Sequence, residues 1–145
     1  MKLYFTFFVV LYALIPLAQA DEPINQDIQA FNDAAELAHV TCQPHDPFRP
    51  VSTEQELQSV YEDSLNCIDE HFISIKGTYD LAHKSLAYNP AASANLDDYY
   101  NKWIESMKAL VPEVNENESA YNLKKYGLNN QAIEIWANLA SQIGI

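Results

Sequence analysis

Cys42 and Cys67 are the only cysteines in this 145-residue chain, and both fall in segments with helical spacing. Cys42 closes a stripe made of Ile24, Ile28, Phe31, Ala35, Ala38 and Cys42, whose steps of 4, 3, 4, 3 and 4 describe one face of a helix. A second stripe runs through Leu57, Tyr61, Leu65, Ile68, Phe72, Ile75, Tyr79, Ala82 and Leu86, and Cys67 lies in the same segment, between Leu65 and Ile68. Whether the two sulfurs are joined therefore decides how the first two helices can lie against each other.

The amino terminus bears on that question. Lys2 is followed by an apolar run from Leu3 to Leu17, then by Ala18-Gln19-Ala20 and the acidic Asp21-Glu22. This layout predicts a secretory signal peptide over residues 1–20, cut after Ala20, and a helical domain over 21–145. The run is short for a membrane span of about 20 residues and carries Pro16, and no second long apolar run follows. An exported chain meets an oxidising compartment, where two cysteines pair. Zinc is the competing reading, because Cys42-x-x-His45 and Cys67-x-x-x-His71 have acceptable ligand spacing. The compartment favours the disulfide, so no metal and no cofactor is expected.

The disulfide has a geometric consequence. In a plain hairpin the end of helix one faces the start of helix two near residue 55, and Cys67 lies about 12 residues, or roughly 18 Å, further along. Residues 43–52 contain Pro44, Pro47 and Pro50, which forbid a helix there. Ten extended residues span up to about 33 Å, so this segment is expected to run back along helix two.

The first helix opens at Asp21-Glu22-Pro23, with acids in its first turn. Thr53 with Glu56 forms a capping box for the second, expected as one long helix over about 53–88 that Asn89-Pro90 ends. A third helix is expected from Asn95, with Asp97 and Asp98 in its first turn, to Pro112. A short helix over 118–126 would stop at Gly127, and a last one capped by Asn129 would bury Ile133, Trp136 or Ala137, Ala140 and Ile143. With three glycines in the chain, an all-α fold of the four-helix-bundle type follows, with one long helix and one disulfide.

Removing the leader takes away Lys2 and no acid, leaving 7 basic and 20 acidic side chains and a net charge of −13. Such a surface disfavours nucleic acid and anionic membrane and allows a basic protein partner. His39, His45, His71 and His83 match no hydrolase pattern, and neighbouring pairs such as Asp97-Asp98 diverge around a helix. No catalytic residue is expected. Tyr99, Tyr100 and Trp103 cluster on the third helix, while Tyr121 and Tyr126 flank the short one. Any of these left exposed beside the acids would mark a protein-binding patch. Asn117-Glu118-Ser119 also fits a glycosylation sequon.

The layout resembles the small helical periplasmic immunity proteins that neutralise type VI secretion effectors. The likeness spans Leu37 to Gly77, including "LAHVTC" and "NCIDEHFISIKG", with Ile68-Asp69-Glu70 where that group usually has a glycine and an aromatic. It implies a non-enzymatic protein that occludes a toxin's cleft, with Asp97, Asp98, Tyr99, Glu113, Glu116 and Tyr121 as partner contacts. The rival reading is a bundle holding a small apolar ligand between aromatic-lined helices, which a preformed cavity near Trp103 and Trp136 would favour.

Overall fold

The computed structural model describes residues 22–49 and 51–145. The expected signal peptide, residues 1–20, and its expected cleavage site lie outside them. Five helices and no strand occur among the described residues: α1 (Glu22–Thr41), α2 (Glu54–Val60), α3 (Glu62–Ser85), α4 (Pro90–Lys108) and α5 (Glu118–Ile143). None of them is long and apolar enough to cross a membrane.

The first stripe forms as its spacing predicts. Ile28, Phe31, Ala35, Ala38 and Cys42 are all buried, and the Cys42 and Cys67 sulfurs are bonded, with their Cα atoms 5.4 Å apart. The capping box is also present. Thr53 Oγ1 accepts from the Glu56 amide at 3.1 Å, and the Glu56 carboxylate accepts from the Ser52 amide at 2.8 Å.

Three boundaries differ from expectation. The long second helix breaks at Tyr61, which leaves helical angles for one residue (φ −114°, ψ 17°). Backbone bonds continue on both sides, from the Tyr61 amide to the Leu57 carbonyl and from the Leu65 amide to the Tyr61 carbonyl. The break accompanies burial of the Tyr61 ring, whose hydroxyl donates to the Arg49 carbonyl at 3.0 Å. Next, Asn89-Pro90 begins a helix rather than merely ending one. Asn89 Oδ1 accepts from the Ala92 amide and Pro90 occupies the first turn, where its missing N–H costs nothing. Asn95, Asp97 and Asp98 therefore lie beyond the first turn of α4.

Finally, the short and last helices are one. Asn117, the sequon asparagine, caps α5 through the Ala120 amide at 3.0 Å, and the helix continues through Gly127 to Gly144, which takes the left-handed conformation (φ 77°). A mid-helix glycine costs about 1 kcal/mol. Burial of Tyr121 before Gly127, and of Ala132 and Leu139 after it, offsets that cost. The merged phase turns the inner face: Ile133 is 56% exposed, and Ala137 is exposed as well.

α1 packs extensively on α3, and α4 on α5. The pairs are antiparallel, as Ser85 Oγ bonding Asp27 and Asn95 bonding Gln142 show at the far ends of each. Phe31 sits where the pairs meet, edge-on to Tyr79, Tyr99 and Tyr100 with centroids 5.7 to 6.0 Å apart. The proline segment is irregular, with a turn near Phe48, rather than evenly extended. It nevertheless passes back over Tyr61 and joins the halves, since the Val51 carbonyl accepts from the Asn115 amide at 3.1 Å and Phe48 packs on Tyr121.

The disulfide closes a loop of 25 residues, for which chain entropy gives about 3 to 4 kcal/mol. Replacing both cysteines by alanine should lower the unfolding free energy by roughly that amount in urea titrations. A loss below about 1 kcal/mol would mean that the helices hold this arrangement without the bond.

Candidate functional site

A groove of about 320 Å³ lies between α1 and α5. It exists because α1 meets α4 at only a few points and is not packed against α5. Two long α4 side chains reach under α1 and form the floor. The Trp103 indole N–H donates to the Ala35 carbonyl at 2.9 Å, and the Tyr99 hydroxyl donates to Asn32 Oδ1 at 2.7 Å. Ala132 and Trp136 of α5 form the far wall, and the lips are Val40 and Ile133, 70% and 56% exposed. Burial holds the Tyr99 hydroxyl far above its ordinary range, with the Glu36 charge adding to the effect, so it stays a neutral donor.

At the end of α1 the groove is polar. His39 lines it with a buried Nε2 that has no hydrogen-bond partner. Burial lowers the His39 pKa, and the nearby Lys125 charge lowers it further, so the imidazole is neutral at pH 7. Lys125 is 8% exposed, and its ammonium lies 3.4 Å from Gln43 Oε1 and 5.7 and 5.8 Å from the Tyr121 and Tyr126 ring centroids.

The six residues proposed from sequence as partner contacts do not form one surface. Tyr99 and Tyr121 are interior, the latter donating to the Leu110 carbonyl at 2.9 Å, with its pKa pushed up to about 12 by burial and nearby acidic groups. Glu113 and Glu116 both bind Lys124 Nζ, at 3.0 and 2.8 Å, beyond the C-terminus of α4. Asp97 and Asp98 lie in the first half of that helix, with Asp98 exposed and Asp97 half-buried. Sequence reasoning named the aromatic floor but missed the α1 wall and His39. Residues 80 or more positions apart meet there, and no local pattern announces such a meeting.

A second cluster joins α3 to α4. Asp97 Oδ1 accepts from the Tyr79 hydroxyl at 2.6 Å and lies 3.4 Å from His83 Nε2, which is also 2.9 Å from Ser93 Oγ. Serine, histidine and aspartate together suggest a hydrolytic relay, which requires the acid on one ring nitrogen and the serine on the other. Here both use Nε2, so the cluster clasps two helices instead. The Cys42, Cys67 and His71 ligand atoms lie within 4.8 Å of one another, but the disulfide consumes both thiolates, and His45 is exposed outside that group.

Comparison with protein-family models, with curated proteins and with solved structures finds no match for this chain.

The depressed His39 pKa has a measurable consequence. The unfolded chain takes up this proton near pH 6.5 and the folded protein only below that, so His39 contributes stability above pH 6.5 that is lost as the pH falls through its folded value. Denaturant midpoints should decline less between pH 7.5 and 5 in His39→Asn than in the wild type. Identical declines would show that His39 titrates alike in both states.

Proposed function

We propose that this protein acts by contact, receiving an apolar group of a protein partner in the α1/α5 groove and so neutralising or regulating that partner. This is the kind of action implied by the resemblance to type VI immunity proteins. The observation that carries it is the pairing of exposed lips, Val40 and Ile133, with the half-buried Trp136 on the wall and a floor of Trp103 and Tyr99 beneath them. Aromatic groups in a partly desolvated groove, bordered by apolar residues that exclude water, are the ingredients of an interface hot spot. Leu37 on α1 and Leu123 and Tyr126 on α5 add exposed apolar area on the same two helices. The net charge of −12 for the whole sequence suits a partner with a basic rim.

A second reading, a small apolar ligand, draws on the groove's position beside Trp103 and Trp136 and on its volume, near the lower end for small-molecule sites. Native mass spectrometry of protein from its own source separates the two, because a small ligand adds a fixed few hundred daltons.

In affinity isolation from the native exported fraction, the wild type should retain one stoichiometric protein whose activity it suppresses. Ile133→Asp should weaken that association at least tenfold, while Leu81→Asp on α3 should leave it unchanged. Equal binding by wild type and Ile133→Asp would place the contact elsewhere.

A further inference from the structure

We infer that one end of the groove is a cation-binding subsite formed by Glu36 and Trp136, so that the partner inserts a lysine or arginine side chain beside its apolar anchor. This inference rests on the groove being a protein-binding site and assigns the chemistry of what enters it.

Glu36 is the first reason. It is the only carboxylate among the groove-lining residues, and no lysine or arginine stands among them. It is also held from within. Asn32, 3% exposed, donates from Nδ2 to Glu36 Oε1 at 3.0 Å, while its own Oδ1 accepts from the Tyr99 hydroxyl at 2.7 Å. Both protons are donated in the direction of Glu36, so a buried chain of hydrogen bonds that starts on α4 fixes where this α1 carboxylate stands. Its charge is felt at the groove floor, where it adds to the raised pKa of Tyr99. Among the described residues no Lys, Arg or His nitrogen lies within 4.0 Å of it. Unpaired acids are common on so acidic a chain. Glu36 differs in combining buried support with a place in a concavity.

Trp136 is the second reason. It is half-buried in the α5 wall, and its ring centroid lies 5.3 Å from that of Tyr99, whose hydroxyl begins the chain to Glu36. The aromatic wall and the carboxylate therefore share one end of the groove. An ammonium or guanidinium entering there meets a ring face and an opposite charge, and a guanidinium can stack on the one while forking to the other. Lys125 does not oppose it at this end. That residue is outside the lining and stands beyond the opposite end, near His39 and 3.4 Å from Gln43 Oε1.

The spacing limits the occupant. Val40 lies one turn after Glu36 on α1, and Ile133 about one turn before Trp136 on α5. The helices run in opposite directions here, since Trp136 is level with Tyr99 and Lys125 with Gln43. Both steps thus lead the same way, and the apolar lips sit roughly 5 Å from the cation subsite. A partner segment matches this with a basic side chain one helical turn from an aliphatic or aromatic one.

The test pans the immobilised, oxidised full-length chain with a displayed library of random linear peptides. One selected peptide is then titrated by calorimetry beside its counterpart with glutamine for the basic residue. Enriched peptides should place Lys or Arg within a turn of an apolar residue, and Ile133→Asp should weaken them. Glu36→Gln, which keeps an acceptor for Asn32, should weaken the basic peptide about five- to tenfold and leave the glutamine counterpart unchanged. Glu70→Gln, the same loss of charge at an exposed position on α3, should change neither. Enriched peptides without a basic residue, or equal losses in Glu36→Gln and Glu70→Gln, would overturn the cation subsite, and the groove reading would stand on the Ile133→Asp effect. Absence of enrichment, or binding indifferent to Ile133→Asp, would overturn both. A dimer in sedimentation that Ile133→Asp makes monomeric would name a second copy as the occupant and overturn the inference.

Discussion

The Cys42–Cys67 bond is the constraint from which the remaining geometry follows. It pins the end of α1 to the beginning of α3, well past the point where a simple hairpin would place it. The chain must then travel back to start α2, and the proline segment makes that return because it cannot become helix. In doing so it lays the Arg49 carbonyl over Tyr61 and the Val51 carbonyl against Asn115. Thus one covalent link in the first half also orders the loop before α5.

With α1 committed to α3, its hydrogen bonds to α4 come from two aromatic side chains. Trp103 and Tyr99 span the gap and donate from their far ends to the Ala35 carbonyl and to Asn32 Oδ1. Aromatic side chains of this length act as spacers. They hold α1 in place without drawing it against α5, so an apolar cleft remains where tighter packing would have filled it.

What could be read from sequence follows the reach of each signal. The α1 stripe, the Thr53–Glu56 box and the crosslink are local patterns or follow from compartment chemistry, and the structure contains all three. Helix boundaries marked by glycine and proline were less legible. Gly127 reads as a stop, but burial on both sides carries α5 through it, whereas Asn89-Pro90 reads as an end although its cap serves the following helix. The stripe through Tyr61 keeps phase across the break, so periodicity alone could not reveal it. The candidate site was the least legible part. Acidic and aromatic density drew attention to Asp97, Asp98, Glu113 and Glu116, yet Lys124 holds the last two and the Tyr79–His83 clasp engages Asp97. The groove arises from a seam that stays open, and an unmade contact leaves no periodic trace in sequence.

The account stands on the sulfurs being joined, since free thiols would release α1 from its place beside α3. Peptide mapping of the unreduced protein from its native compartment, by mass spectrometry after alkylation, measures this directly. The expected result is one linked pair containing Cys42 and Cys67 with no alkylated cysteine. Recovery of both residues in alkylated form would contradict it.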